Sequence, residues 1–316
     1  MFYIDRSAIM AKPTYDKPPV TISEQLDILE EKGMTIADMA FARHVLETIG
    51  YYRFTGYAYT FRDQADNSSY LEGTTFEQVM NLYEFDRELK QILFGYIERI
   101  EVAFRAKVID VMSVGFGNGQ WFTDESLFFN SVEHQEFLCK MKDDVDGSME
   151  EFMRHFREKY ADEFPPAWIT LQICPFGRLV KLYQNLEDQD KQDVIARFFG
   201  CDSTDRFMSW INSLAYLRNI CGHHSRLWNL TIQKRPRIFI FGDRNRRRDN
   251  GKLYFMVCVI KKLLQPIISN DTLESDLASL FARYPFADKR KNTYLGFPDD
   301  WHNDKGVWQK NDFPGY

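Results

Sequence analysis

Thr74-Thr-Phe-Glu-Gln-Val-Met-Asn-Leu-Tyr-Glu-Phe-Asp-Arg-Glu-Leu-Lys-Gln-Ile-Leu-Phe-Gly-Tyr-Ile-Glu-Arg-Ile-Glu-Val-Ala-Phe-Arg-Ala-Lys107 opens the longest helical signal in the chain. Leu82, Phe85, Leu89, Ile92, Tyr96, Ile100, Ala103 and Lys107 step by three or four, and only the last is polar. That spacing is the period of a helix face set against a core. The signal runs from about 76 to 113, longer than common globular helices, so it is one central helix or two with an uncapped break. Gly115, Gly117 and Gly119 stop it.

Helical periodicity continues on both sides, and alternating strand patterns are nearly absent, so the expected class is all-α. Thr21-Ile-Ser-Glu24 reads as a capping box ahead of Leu26, Ile28 and Leu29, with Gly33 ending that helix and Thr35 opening a second through Met39 and Val45. Further helices are expected around 132–143, from Ser148 to Tyr160, near 176–186 and 190–199, from about Thr204, and over 252–265 before Pro266. The tail beyond is polar and aromatic and reads as loosely packed.

At 316 residues and 44% apolar composition the chain can bury a sizeable core. Cys139, Cys174, Cys201, Cys221 and Cys258 are odd in number and scattered, without a Cys-x-x-Cys pair. That pattern argues against a disulfide framework or zinc ribbon and for a reducing cytoplasm. No apolar signal core begins the sequence, and no window approaches a membrane span, so no membrane partner is expected. The net charge of −6 conceals an asymmetry: residues 1–200 carry −13 and residues 201–316 carry +7. Within 218–262, twelve basic residues face two acidic ones, a concentration that would draw a polyanion.

The chemistry concentrates in Arg218-Asn-Ile-Cys-Gly-His-His-Ser-Arg-Leu-Trp-Asn229. A guanidinium that cannot lose its proton can hold a phosphate, and imidazoles can move protons near neutral pH. On a helical wheel, Leu214, Leu217, Cys221, His224 and Trp228 form an apolar stripe, while Asn212, Asn219, His223 and Arg226 share a polar face. His223 is therefore the preferred acid or base, and His224 looks half-structural. Arg218 and His223 lie about 140° apart on an ideal helix, so a straight helix does not let both clasp one phosphate. Either Gly222 loosens the helix, or a second copy supplies the missing group across a symmetric interface. No other Arg-x4-His occurs in the chain, which favours a homodimer with a composite site.

The segment resembles the Arg-x4-His motif of HEPN-type ribonucleases. More closely, the chain is similar to abortive-infection (Abi) proteins of the AbiD/AbiF type. The matching stretches run colinearly from Lys17-Pro-Pro-Val-Thr-Ile to Asn229, through Tyr51-Tyr-Arg-Phe-Thr-Gly-Tyr57, Leu82-Tyr-Glu-Phe-Asp-Arg87, Ile97-Glu-Arg-Ile-Glu-Val102 with Arg105, Pro165-Pro-Ala-Trp168, Phe176-Gly177 and Leu182-Tyr183. The resemblance implies a HEPN-like helical bundle with additional N- and C-terminal helices. Residues 1–73 would form an N-terminal helical segment, 74–230 the HEPN-like core, and 231–316 a basic loop, helix and polar extension. It implies metal-independent endoribonuclease activity without a cofactor, in a protein that arrests or kills a phage-infected bacterium. A neighbouring antitoxin, in some relatives a structured small noncoding RNA, would restrain it.

Carried onto this sequence, the motif assigns Arg218 and His223 as the catalytic pair, Asn219 as the polar residue after the arginine, and His224 as a supporting member. Gln172 stands where the family favours Glu, and Gly222 where Ala is usual. Glu98, Glu101 and Arg105 share one stripe of the long helix; an i,i+4 pair such as Glu101–Arg105 is ordinarily a surface salt bridge, but the resemblance suggests that this group orients Arg218. Arg226, Asn229, Lys234, Arg235, Arg237, Arg244, Arg246, Arg247 and Arg248 are candidate RNA contacts. Trp228 and the tyrosines of 51–59 have the chemistry to stack on bases, with core packing the commoner role. The rival reading is a non-catalytic RNA-binding or regulatory HEPN-like protein. A metal hydrolase built on Cys221, His223 and His224 fits worst, because adjacent ligands diverge. His44, His134, His155 and His302 read as surface or capping residues.

Overall fold

A computed structural model describes residues 14, 16, 18–63, 65, 66, 68–239 and 248–308. Among these residues the chain is all-α, with no strand and three isolated β-bridges. The helices are α1 (Ile22–Glu31), α2 (Met39–Ile49), α3 (Tyr51–Ala58), α4 (Phe76–Phe116), α5 (Ser131–Gly147), α6 (Glu151–Lys159), α7 (Ala167–Thr170), α8 (Phe176–Gln184), α9 (Gln189–Phe198), α10 (Thr204–Gly222), α11 (Leu253–Leu264), α12 (Leu273–Arg283), α13 (Pro285–Leu295) and α14 (Lys305–Trp308). None of them is long and apolar enough to cross a membrane. Two compact units, residues 1–80 and 81–316, divide within α4.

In the first unit the capping box of α1 forms as expected: Thr21 Oγ1 accepts from the Glu24 amide at 3.3 Å, and Glu24 Oε2 accepts from the Thr21 amide at 2.6 Å. The Thr21 hydroxyl, donating to Glu24 Oε2 at 2.7 Å, and then the Thr21 amide hold the Glu24 carboxyl below its ordinary range. Thr35 does not open α2. Asp38 caps it through the Phe41 amide at 2.9 Å, while Thr35 bonds the backbone of Thr74 and Phe76. The box of α4 lies one residue later than Thr74–Glu77, with Thr75 and Gln78 bonding reciprocally at 3.2 Å. Phe54 stacks on Phe76 at 4.2 Å, closing the core of this unit.

The long helix is unbroken: α4 has 41 residues, about 60 Å at 1.5 Å per residue. Its buried line is Phe76, Val79, Leu82, Phe85, Leu89, Leu93, Ile97, Ile100, Phe104, Val108 and Met112. Ten steps over 36 residues give the ideal 3.6 period. The expected stripe departs from this line at Ile92, Tyr96, Ala103 and Lys107, which are only part-buried. A count of apolar residues at threes and fours fits two adjoining lines equally, and packing selects one. Gly117, at φ 60, supplies the left-handed residue that ends the helix.

In the second unit, Phe104 of α4 is surrounded by rings from the next helices. Phe176 and Tyr183 of α8 lie at 6.1 and 5.2 Å, and Phe207 of α10 at 6.0 Å. Burying such a side chain stabilises by about 1.5–3 kcal/mol. This cluster fixes α10 against α4 and so sets where its last turn falls. Helix α11 is buried at every position from Leu253 to Ile260, the mark of a core helix.

As far as Trp308 the tail is not loose. Helices α12 and α13 form, and Phe281, Phe297, Trp301 and Trp308 pack edge to face, with Trp308 Nε1 donating to the Trp301 carbonyl at 2.8 Å. His134 is not a surface residue either: it is fully buried, stacked on Phe128 at 4.2 Å, with Nε2 2.8 Å from the Phe122 carbonyl.

Candidate active site

Ser203 caps α10, its Oγ accepting from the Arg206 amide at 3.3 Å, and the helix buries Phe207, Trp210, Ile211, Leu214, Leu217, Ile220 and Cys221. Its C-terminus is the motif itself. The His223 amide bonds the Asn219 carbonyl at 2.9 Å, so helical geometry runs through Gly222 without loosening. His224 then turns left-handed at φ 57, with its amide on Cys221 O at 3.2 Å and the Ser225 amide on Ile220 O at 3.0 Å. These two bonds make a Schellman cap, with a histidine where glycine is usual. A left-handed residue bearing a Cβ costs roughly 1–2 kcal/mol, so the surroundings must enforce it.

The turn corrects the wheel reading. Because the helix stops at Gly222, His224 leaves the apolar stripe and is exposed, as are Asn219 and His223. Trp228 is wholly buried, as a core residue, but on the segment after the helix, edge to face with Phe85 at 5.7 Å and beside Tyr294 at 4.9 Å. Among the tyrosines of 51–59, Tyr57 is buried and Tyr52 and Tyr59 are exposed.

Arg218 sits between α10 and α4. Its Nε is buried, 3.5 Å from Glu101 Oε2, an ion pair without hydrogen-bond alignment, and its guanidinium lies over the Phe94 ring at 5.4 Å. The side chain is still 37% exposed. Glu101, at 15%, also takes Arg105 Nη2 at 2.9 Å through its other oxygen. Arg105 Nη1 donates in turn to the carbonyls of Leu171, Gln172 (3.0 Å) and Cys174 (2.8 Å). So the Glu101–Arg105 pair is not a routine surface bridge. It ties the loop before α8 to α4 and presents the second carboxylate oxygen to Arg218. Glu98, on the same stripe, is exposed and makes no hydrogen bond or ion pair among the described residues. Gln172 serves Arg105 through its carbonyl while its side chain bonds Trp168 O at 3.3 Å, so Gln in place of Glu leaves the arrangement intact.

Two residues without an assigned role hold the segment after the motif. Asp86, fully buried on α4, accepts from the Leu227 amide at 3.0 Å and the Trp228 amide at 2.6 Å. Lys90, one turn on, lies 3.0 Å from Asp86 Oδ2 and donates to the Ser225 carbonyl at 3.2 Å. The only sequence sign was Asp86 within Leu82–Arg87, one of the stretches carrying the resemblance. Burial, with the Asp86 charge second, pushes the Cys221 thiol up to about 12, which makes it a poor nucleophile near neutrality. Among the described residues no group of three or more His, Cys, Asp or Glu side chains is placed to hold a metal ion.

The basic candidates divide. Lys234 and Arg235 are exposed, Lys234 Nζ reaching Asn212 Oδ1 at 3.4 Å, and Arg226 and the left-handed Asn229 (φ 58) are half-buried. Arg237 is exposed but paired with Asp205 at 2.9 Å. Arg248 is not a surface contact: its side chain is 4% exposed, doubly bonded to the buried Asp304 at 3.0 and 2.5 Å. Arg244, Arg246 and Arg247 lie outside the described residues.

Residues 44–229, which hold α4, α10 and the whole Arg218–Asn229 segment, match the family model described as Abi-like protein. No curated protein and no solved structure matches the chain.

Proposed function

Because the chain belongs to the Abi-like protein family, we propose that it is a metal-independent endoribonuclease toxin of abortive infection, acting in the cytoplasm of a phage-infected bacterium. The observation that carries the reading is the state of Arg218. Glu101 and Phe94 steady its inner end, and neither Nη1 nor Nη2 makes a hydrogen bond among the described residues. The exposed Asn219, His223 and His224 lie within the next six residues.

That combination suits transesterification of RNA. The 2′-hydroxyl gives its proton to an imidazole and its oxygen bonds the adjacent phosphorus. The bond from phosphorus to the 5′-oxygen breaks, and that oxygen takes a proton. Imidazole, ordinarily near pKa 6.5, suits either transfer. Guanidinium nitrogens on the phosphate oxygens offset the charge of the transition state. The products carry a 2′,3′-cyclic phosphate and a 5′-hydroxyl, and DNA, lacking the nucleophile, is spared.

Helix α10 stays regular to its cap, which removes the local loosening that would bring Arg218 and His223 together within one chain. This supports the alternative, a homodimer in which the guanidinium of one copy faces the imidazole of the other. A neighbouring antitoxin restrains the enzyme in this reading, a small noncoding RNA being one form it takes among relatives. The test is cleavage of a mixed-sequence RNA in EDTA by the wild type and His223→Ala. Cyclic-phosphate ends from the wild type alone support the reading. Equal RNA affinity with no cutting by either identifies a binding protein, and activity that returns only with added metal overturns the mechanism.

A further inference from the structure

We infer that Asp86 and Lys90 are positioning residues for the His223–His224 corner: the pair holds the main chain just after the imidazoles and so fixes the direction in which they leave α10. The inference rests on the nuclease reading for its catalytic consequence, though not for its geometry. The carboxylate is fully buried and spends both oxygens on main-chain N–H groups, those of Leu227 and Trp228. The ammonium meets the carboxylate at 3.0 Å and the Ser225 carbonyl at 3.2 Å. Two donors and one acceptor of four consecutive residues are thus held by one turn of α4.

Ser225 is gripped from both sides, its amide by the Ile220 carbonyl inside α10 and its carbonyl by Lys90. His224, at φ 57, immediately precedes this doubly held residue, in a conformation that costs a residue bearing a Cβ roughly 1–2 kcal/mol. The Schellman bonds alone would satisfy the helix end, and glycine would accept that turn without strain. A histidine there needs a second constraint, which the buried pair provides. It does so from α4, the helix that also carries Glu101 and Phe94. One rigid element therefore sets both the guanidinium and the imidazoles.

Asp86→Asn keeps the shape and replaces an acceptor by an amide donor facing N–H groups and an ammonium. Lys90→Met removes the donor to Ser225 and leaves Asp86 its two amides. Each variant is compared with wild type at a temperature where circular dichroism shows it folded. The expected result is single-turnover cleavage lowered at least tenfold, with affinity for an uncleavable 2′-deoxy RNA within about twofold of wild type and the imidazole Cε1–Hε1 NMR resonances of His223 and His224 displaced. Cleavage that falls only in step with the folded fraction, with both resonances unmoved, overturns the proposal for either variant that folds. If Asp86→Asn does not fold, Lys90→Met decides by the same measures. If the wild type itself cuts no RNA, the nuclease reading fails separately, and the two resonances alone decide whether the pair sets the corner.

Discussion

Arg218 presents Nε to Oε2 of Glu101 at 3.5 Å, a carboxylate that Arg105 already holds at 2.9 Å through its other oxygen. Glu101 is therefore a fixed counter-charge, and removing that charge frees the guanidinium without emptying the space. Glu101→Gln is expected to leave the fold intact, because Arg105 keeps its three carbonyl acceptors. With Arg218 partly open to solvent, a loss of about 1–2 kcal/mol of orientation is reasonable, or roughly tenfold in cleavage rate. A cleavage assay at matched melting temperature checks it, and undiminished activity would remove Glu101 from the site.

Gly222 invites the opposite change. A Cβ built there meets Phe94 Cε2 at 3.6 Å and Arg218 Nη1 at 3.7 Å, ordinary contact distances, and the backbone is helical. Gly222→Ala should stabilise by about 0.5–1 kcal/mol through lower unfolded-state entropy and better helix propensity. A rise in melting temperature of one to a few degrees with retained cleavage is the expected pair of results. The glycine at this position then has no bearing on the geometry of the pair.

What the sequence disclosed and what it withheld have a common physical basis. The all-α class, α4 and the Thr21 box depend on spacing within a few residues, and all were legible. The end of α10 was not, because a wheel drawn past Cys221 assumes a helix that the Schellman cap ends at Gly222. Asp86 was invisible as a contact because its acceptors meet amides 141 and 142 residues away. The packed tail was missed for the same reason: Trp301 and Trp308 look like surface aromatics until α12 supplies Phe281. Leu273, Leu277 and Leu280 did carry a readable helical step there.

Arg248 separates stability from RNA affinity. Its ion pair with Asp304 is buried, and Tyr254 adds a hydrogen bond to the same carboxylate at 3.0 Å. Arg248→Ala leaves Asp304 charged in the interior and should destabilise by about 3–5 kcal/mol, seen as a lower denaturant midpoint. Lys234→Ala and Arg235→Ala should do the reverse, leaving stability unchanged and lowering the salt slope of RNA binding by about one each. An Arg248 variant of normal stability and weak RNA binding would contradict this division.

Alkaline stability should follow the buried thiols. Burial pushes Cys174, Cys221 and Cys258 from an ordinary value of 9.0 up to about 12. The folded state therefore keeps these protons where the unfolded chain releases them. Their contribution is whole below the ordinary thiol range and is lost as pH rises from about 9 towards 12, at about 1.4 kcal/mol per pH unit for each thiol. The melting temperature should fall steeply over that window. At pH 8 a thiol reagent should titrate Cys139, the exposed cysteine, quickly and the other four only on unfolding.

The composite site has a sharper test in subunit mixing. Arg218→Ala lacks the phosphate clamp and His223→Ala lacks the proton carrier, so each homodimer is expected to be inactive. When the two variants are unfolded and refolded together, half of the dimers are mixed if assortment is random. In a mixed dimer one of the two sites receives its arginine from the His223→Ala copy and its histidine from the Arg218→Ala copy, while the other site lacks both. One site in four is then complete, and about a quarter of wild-type cleavage should return. If both groups of a site came from the same chain, no mixed dimer would hold a complete site, and the mixture would stay as inactive as its parts. Refolded wild type run alongside fixes the scale. Recovery near a quarter assigns Arg218 and His223 to opposite subunits, whereas none, from dimers shown to have exchanged, places both in one.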